Sequence, residues 1–400
     1  MDIRTALQSK RLIFDGAMGT QLILRGLTGD SQPYNISAPK IVTDIHRAYV
    51  AAGAHVITAN TFGAYSHKYP NAAELITAAL QYARAAVNNA PDKWVALDIG
   101  PTGRLVEPLG DLPFNECINI FTEAARVGAD NGADLILIET MTDLYELKAA
   151  VYATKSTGLP VVATMAFEES GRTMTGVTPE VLAVMLEGLG VDALGMNCGL
   201  TPVLYRKLVT DLRAVTSLPI LLQPNAGLPN VSTGELEYDI TPHAFAEEMA
   251  YIASIGVNHM GGCCGTSPEH IAAMAKACAE LAVPESTLTP VRICSGSQVA
   301  AVDGTISCVE GDDVDDLIDT AFDAMHEADI LEIYLSNGKD IQELQTVIAS
   351  PLALVAPSYD MLVEAVRLYN GRPLVRVTAS AFSAEECAAL VCLGAHILYL

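Results

Sequence analysis

No uninterrupted apolar run in the 400 residues reaches the roughly 18 that a membrane-spanning helix needs. The start, Met1-Asp2-Ile3-Arg4-Thr5, lacks a basic stretch followed by an apolar one, so it does not read as a secretory leader. The nine cysteines follow no regular framework, which argues against a disulfide-stapled extracellular scaffold and for reduced thiols in a cytoplasm. Positive charge is scarce: 23 Lys and Arg stand against 47 Asp and Glu, a formal net charge of −24. Phosphate backbones would be repelled, so nucleic acid is not an expected partner. What the chain has in plenty is apolar material, 50% of its residues. Its length calls for two units rather than one core.

From the N-terminus, short apolar runs alternate with helical segments. Strands are predicted at 11–15, 55–58, 94–99, 134–138, 160–165, 193–196, 219–223 and 257–260. Helical segments follow at 39–52, 72–89, 116–131, 143–156, 178–189, 202–215 and 241–255, with a last one opened by Thr266-Ser267-Pro268-Glu269. Eight strand–helix units in about 280 residues have the count and size of a (β/α)8 TIM barrel. Continuously apolar strands fit a parallel sheet buried on both faces. Polar or glycine-rich punctuation follows nearly every strand, so one rim collects Asp15, Asn60, Glu139, Cys198, Asn225, Cys263 and Cys264.

The stretch Gly261-Gly262-Cys263-Cys264-Gly265-Thr266 stands at the end of the eighth strand. Neighbouring side chains on a regular strand point to opposite faces, and the flanking glycines allow the backbone to leave that geometry so that both sulfurs serve one site. Cys198 lies in a similar setting, two units upstream. Three thiolates at strand ends can hold zinc and leave one tetrahedral position open. The alternative is that these cysteines are small buried apolar residues. Asp15, before Gly16-Ala17-Met18-Gly19-Thr20, reads either as a cation ligand or as a cap for a turn whose N–H groups suit an anion. Glu139 reads either as a site carboxylate or as a helix N-terminal acid favoured by the dipole.

Residues 284–290 read as a linker with two prolines and no periodicity. Alternation resumes over 291–400, with strands predicted near 291–294, 330–335, 352–356, 374–378 and 396–400 and helices opening at Asp312, Ile341, Tyr359 and Ala384. This smaller α/β domain is about half a barrel. Its open sheet edge needs covering, by packing on the first domain or by dimerisation.

Asp15-Gly16-Ala17-Met18-Gly19-Thr20, Thr58-Ala59-Asn60-Thr61-Phe62-Gly63, Gly100-Pro101-Thr102-Gly103, Asn197-Cys198-Gly199, Pro224-Asn225-Ala226-Gly227-Leu228-Pro229 and Gly261-Gly262-Cys263-Cys264-Gly265 appear in this order. Over residues 1 to about 283 this set resembles the homocysteine S-methyltransferase family, and within it the homocysteine-binding module of cobalamin-dependent methionine synthases. The resemblance implies Zn2+ on Cys198, Cys263 and Cys264, with homocysteine sulfur as fourth ligand and Asn225 in that position when substrate is absent. It further implies that Asp15 and Glu139 receive the amino group, that amides near Ala17 and Met18 receive the carboxylate, and that Asn60 is a rim residue near the substrate. Residues 291–400 resemble part of a pterin-binding domain, with Ser336-Asn337-Gly338 and Ala356-Pro357-Ser358 where its pterin-contacting motifs would stand. The cobalamin-ligating histidine motif does not occur in the sequence, so the resemblance implies methylcobalamin delivered in trans by a separate corrinoid protein. The alternatives are a cationic donor such as S-methylmethionine or a betaine, for which Phe62, Tyr65 and Phe167 offer aromatic faces, and a homocysteine- or zinc-binding protein without turnover.

Overall fold

The computed structural model describes residues 1–88, 90–227, 238–284, 289–378 and 381–399. Most of the expected linker, Leu228-Pro229 of the fifth motif, Asn89 at the end of a predicted helix, and Leu400 lie outside these ranges. Seven parallel strands run in chain order across the larger sheet: β1 (Val56–Thr58), β2 (Trp94–Ile99), β3 (Leu135–Met141), β4 (Val161–Met165), β5 (Ala193–Asn197), β6 (Ile220–Gln223) and β7 (His259–Met260). A helix follows each strand, from Ala72–Val87 after β1 to Pro268–Cys278 after β7. Five helices of this region start on proline, at Pro39, Pro179, Pro202, Pro242 and Pro268, where the missing N–H costs nothing. No helix among the described residues is long and apolar enough to cross a membrane.

The sheet is curled, and strand alternation sorts its side chains into two layers. Leu12, Phe14, Val56, Trp94, Ala96, Leu135, Leu137, Val162, Ala193 and Leu221 form one buried inner cluster, which the N-terminal helix Ile3–Ser9 closes with Ile3, Ala6 and Leu7. The intervening residues, such as Val95, Leu97, Ile136, Ile138, Leu194, Met196 and Leu222, belong to the larger cluster under the surrounding helices.

The segment predicted as the first strand is reduced to two bridged residues. Ile13 pairs in parallel with Met260 and Phe14 with Val56, so both edges of the sheet are bonded to the same short segment. A regular ladder does not form because imidazoles take its donors: the Leu12 N–H goes to His259 Nδ1 at 3.3 Å and the Ile13 N–H to His55 Nδ1 at 3.0 Å.

Beyond residue 289, β8 (Arg292–Cys294) and β9 (Val299–Ala301) form an antiparallel hairpin, and β10 (Ile306–Val309), β11 (Ile330–Tyr334), β12 (Leu352–Val355), β13 (Leu374–Val377) and β14 (His396–Tyr399) form a second parallel sheet. The expected 291–294 strand is thus diverted from the parallel sheet, because Ser295-Gly296-Ser297-Gln298 is a tight turn closed by Ser295 N–H to Gln298 O at 3.0 Å. β10, absent from the sequence reading, takes its place beside β11. The second sheet packs on the helices around the first. Helix Leu144–Lys155 presents Lys148 to the carbonyls of Val366, Tyr369 and Gly371, Tyr152 to Leu393 O, and Lys155 to Cys392 O.

Candidate active site

The alternation that builds the apolar inner layer continues to the strands' C-terminal ends, where it turns polar. Thr58, Asp98, Glu139, Thr164, Asn197 and Gln223 occupy the next inward positions. Over them lies a cavity of about 390 Å³, lined by the Asp15–Thr20 turn, Asn60, Asp98, Glu139, Thr140, Gln223, Cys198, Cys263 and Cys264, among others. The C-terminal rim of a parallel α/β sheet is where such folds place their chemistry.

Strand β3 carries an irregularity there. Ile138 pairs with Ala163 and Met141 with Met165, so three steps on β3 face two on β4. Thr140 has φ 58°, a left-handed conformation that strains a β-branched residue. The bulge brings both Glu139 and Thr140 to the cavity wall, which a regular strand could not do. Asn197 at the end of β5 holds it: its Oδ1 accepts from Thr140 N–H at 2.8 Å and Thr164 Oγ1 at 2.7 Å, and its Nδ2 donates to Thr140 Oγ1 at 2.7 Å.

Cys198 follows β5 with φ 57°, and its N–H donates to Gln223 O at 3.0 Å. The pair after β7 is fixed by Cys263 N–H to Pro224 O at 2.9 Å and Ala226 N–H to Cys264 O at 2.9 Å. A Cβ on Gly262 would lie 2.5 Å from Thr266 Cγ2, so the approach needs glycine. As a result the three sulfurs lie within 4.8 Å of one another, with Cys198 Sγ and Cys264 Sγ 3.9 Å apart. Tetrahedral zinc with Zn–S bonds of about 2.3 Å puts its sulfurs about 3.8 Å apart, so this donor set fits that ion. Thiol hydrogen bonds from Cys263 and Cys264 pull Cys198 far below the ordinary thiol range, while sharing with Cys198 pushes the other two up. The three sulfurs thus titrate as one cluster and share negative charge through their mutual hydrogen bonds.

The carboxyl groups respond to burial in the opposite sense. Desolvation raises Asp15 to about 7 despite the Thr58 N–H bonded to its Oδ2 at 3.0 Å. Desolvation, then the charges of Cys198 and Asp15, raises Glu139 to about 8. Asp98 is raised well above its normal range by burial and then by Glu139 and Asp15.

Residues 12–278 match the homocysteine S-methyltransferase family. The chain belongs to that family. It is 33% identical over 309 residues to methionine synthase of Mycobacterium tuberculosis, covering 71% of this chain and 26% of that protein. To methionine synthase of Mycobacterium leprae it is 32% identical over 303 residues, 70% and 25% respectively. The chain thus spans about a quarter of the length of these relatives. Its fold is similar to that of the homocysteine methyltransferase MmuM from Escherichia coli. The TM-score is 0.55 to the apo form at 23% identity, covering 68% of this chain and 97% of that one. It is 0.57 to the metallated form at 21% identity, covering 67% and 96%.

Within this family member, the cavity gathers eight of the nine predicted site residues: Asp15, Ala17, Met18, Asn60, Glu139, Cys198, Cys263 and Cys264. Asn225 stands behind them, its N–H on Leu200 O at 3.0 Å, its side chain helping to lower the Cys198 thiol, and its Oδ1 buried without a partner among the described residues. At two of the predicted site residues, Ala17 and Asn60, the donor groups are already engaged. The Ala17 N–H goes to Thr266 Oγ1 at 3.1 Å. Asn60 Nδ2 bonds Ser31 O at 2.7 Å and Asn35 Oδ1 at 2.9 Å. Of the three aromatics, Phe62 reaches the cavity, whereas Tyr65 is spent on Phe121 and on Gly100 O and Phe167 is buried outside the lining. The sequence reading missed Asp98, Thr140, Asn197 and Gln223 as site residues. For Asp98 the signal was present, since Trp94, Ala96 and Asp98 alternate on one face of a strand.

Proposed function

We propose that this chain is a zinc-dependent homocysteine S-methyltransferase that forms methionine. The observation that carries the reading is the convergence of three cysteine sulfurs within 4.8 Å beside a cavity that also holds Asp15 and Glu139. The curled sheet, with Leu12–Phe14 bridging its two edges, serves as a (β/α)8 barrel whose C-terminal mouth is the active site.

Cys198, Cys263 and Cys264 would hold the zinc. Bound there, it would lower the pKa of a substrate thiol and keep the sulfur electron-rich. Asp15 and Glu139 accept hydrogen bonds from the substrate ammonium group, and that charge favours their ionised forms. First-turn amides from Met18 onward, which have no intrahelical acceptors, face the substrate carboxylate. Asn60, with its donors engaged, shapes the wall, and Asn225 stabilises Cys198. These contacts fix the carbon chain, so the sulfur meets the donor in one orientation. A reducing, cytoplasmic setting keeps the three cysteines free to bind metal.

Methylcobalamin carried by a separate corrinoid protein is the proposed methyl donor. Similarity to methionine synthases supports it. The test is turnover of zinc-loaded protein with homocysteine and one donor at a time: methylcobalamin, methyltetrahydrofolate or S-methylmethionine. Methionine from methylcobalamin alone is expected. Methionine from S-methylmethionine overturns the donor assignment, and absence of homocysteine binding overturns the reading as a whole.

A further inference from the structure

Among the residues lining the cavity are three carboxylic acids and no lysine, arginine or histidine. Buried carboxyls are ordinarily paired with a cation or satisfied by hydrogen bonds, because desolvating them unpaired is costly. Asp15 has the Thr58 N–H as a partner. Asp98 is 7% exposed and its Oδ1 is buried with no partner among the described residues. Its backbone does not need the side chain: Asp98 N–H donates to Thr61 Oγ1 at 3.0 Å, and Thr61 Oγ1 donates to Asp98 O at 2.8 Å. The position on β2 projects the carboxyl into the polar inner layer, where Trp94 and Ala96 project into the apolar one. Asp98 Oδ1 thus remains an acceptor open to a ligand's donor.

We propose that Asp98 is a substrate-contacting specificity residue, which with Asp15 and Glu139 forms a three-carboxyl cage matched to the three N–H donors of a primary ammonium group. The proposal rests on the homocysteine reading above and names the group that selects among thiols. A single cation does not neutralise three carboxylates, but a carboxyl that keeps its proton still offers a carbonyl oxygen as acceptor. The cage thus rejects thiols that lack the amino group by leaving its acceptors unmet, which is the stronger form of discrimination available to a buried polar site.

The test is calorimetric titration of zinc-loaded wild type and Asp98→Asn with L-homocysteine and with its des-amino analogue, 4-sulfanylbutanoate. Loss of one charge-assisted contact is expected to weaken homocysteine about ten- to hundredfold. The analogue should bind the variant as well as or better than it binds wild type, since one source of carboxylate repulsion is gone. The ratio of the two dissociation constants does not depend on the fraction of protein folded, so partial misfolding cannot imitate the result. Equal loss for both ligands, or unchanged homocysteine affinity, overturns the cage while leaving the homocysteine reading intact. Failure of wild type to bind homocysteine overturns that reading and the cage with it.

Discussion

Asn197 grips Thr140 at two points, accepting its N–H on Oδ1 at 2.8 Å and donating from Nδ2 to its Oγ1 at 2.7 Å. Thr140 is the left-handed residue of the β3 bulge and neighbours Glu139; Asn197 precedes Cys198. One side-chain amide therefore ties the carboxylate wall of the cavity to the sulfur cluster. Holding a β-branched residue in the left-handed region costs on the order of 1–3 kcal/mol, and the surrounding bonds must offset it.

Replacing Asn197 with alanine removes both of these bonds and the one from Thr164. The bulge is then expected to relax toward regular strand. Stability should fall by about 2–4 kcal/mol, read as a lower urea midpoint with an unchanged slope. Homocysteine affinity should fall as well, because Glu139 loses its placement. An unaltered midpoint would show that Thr140 keeps its conformation without the clamp.

The three sulfurs should act as one metal site. Serine at Cys198, Cys263 or Cys264 is expected to reduce bound zinc from about one per chain to a small fraction, since a structural set of two thiolates binds far more weakly. Serine at buried Cys117, outside the cluster, should leave the stoichiometry unchanged. Because zinc is held by thiolates, its uptake near neutral pH should release protons from the cluster. Mass spectrometry for metal and a weakly buffered titration for protons measure both. Full zinc occupancy in Cys264→Ser would refute the assignment.

Much of this site was legible beforehand for a simple reason: punctuation after an apolar strand shows where a parallel sheet ends, and glycine beside cysteine marks a backbone leaving strand geometry. What stayed hidden depends on side chains meeting across strands. The sequence predicts too long a first strand because nothing in Arg11–Asp15 reveals that His55 and His259 take its amides. The β3 bulge was invisible because Glu139-Thr140 has no glycine, and its conformation is imposed by Asn197, 57 residues away. The sequence offers the Ala17 N–H as a donor for a carboxylate, but Thr266, 249 residues further along the chain, takes it. Asp98 is the different case, since its period-two partners were in plain view.

The raised carboxyls set a pH dependence for the ligand-free protein. A carboxyl with a folded pKa above its unfolded value binds its proton more tightly in the folded state. Its stabilising contribution is complete below the unfolded value and is lost as pH rises through the folded one. For Asp15, raised to about 7, and Glu139, raised to about 8, stability should decline between about pH 4 and pH 8 by a few kcal/mol. Asp15→Asn should flatten the lower part of that decline. Saturating homocysteine should oppose it, because the ammonium group favours the ionised carboxyls. Urea midpoints across the range test this, and a rise in stability from pH 5 to pH 8 for the ligand-free wild type would contradict the sign.

Docking of the second sheet adds a buried lysine to an apolar seam in which Cys294, Val299 and Leu368 pack on the main hydrophobic cluster. Lys148 is fully buried, and its ammonium group donates to Val366 O at 2.9 Å, to Tyr369 O, and to Gly371 O at 3.4 Å. These carbonyls lie at the C-terminus of helix Tyr359–Leu368, where the helix dipole is negative. The same helix of the first domain places Lys155 at the C-terminus of Ala384–Cys392. Methionine at 148 fits the apolar stem but leaves three carbonyls without their shared donor. It should destabilise the docked second sheet by about 2–4 kcal/mol. In calorimetry a single unfolding transition should split, with an early component from residues 291–399, whereas Lys40→Met, at an exposed position, should change nothing. Homocysteine affinity should be retained in Lys148→Met, since the inner layers of the first domain are untouched. An unsplit transition at the wild-type temperature would show that packing of helix Pro179–Leu189 against β8 is enough to hold the second sheet in place.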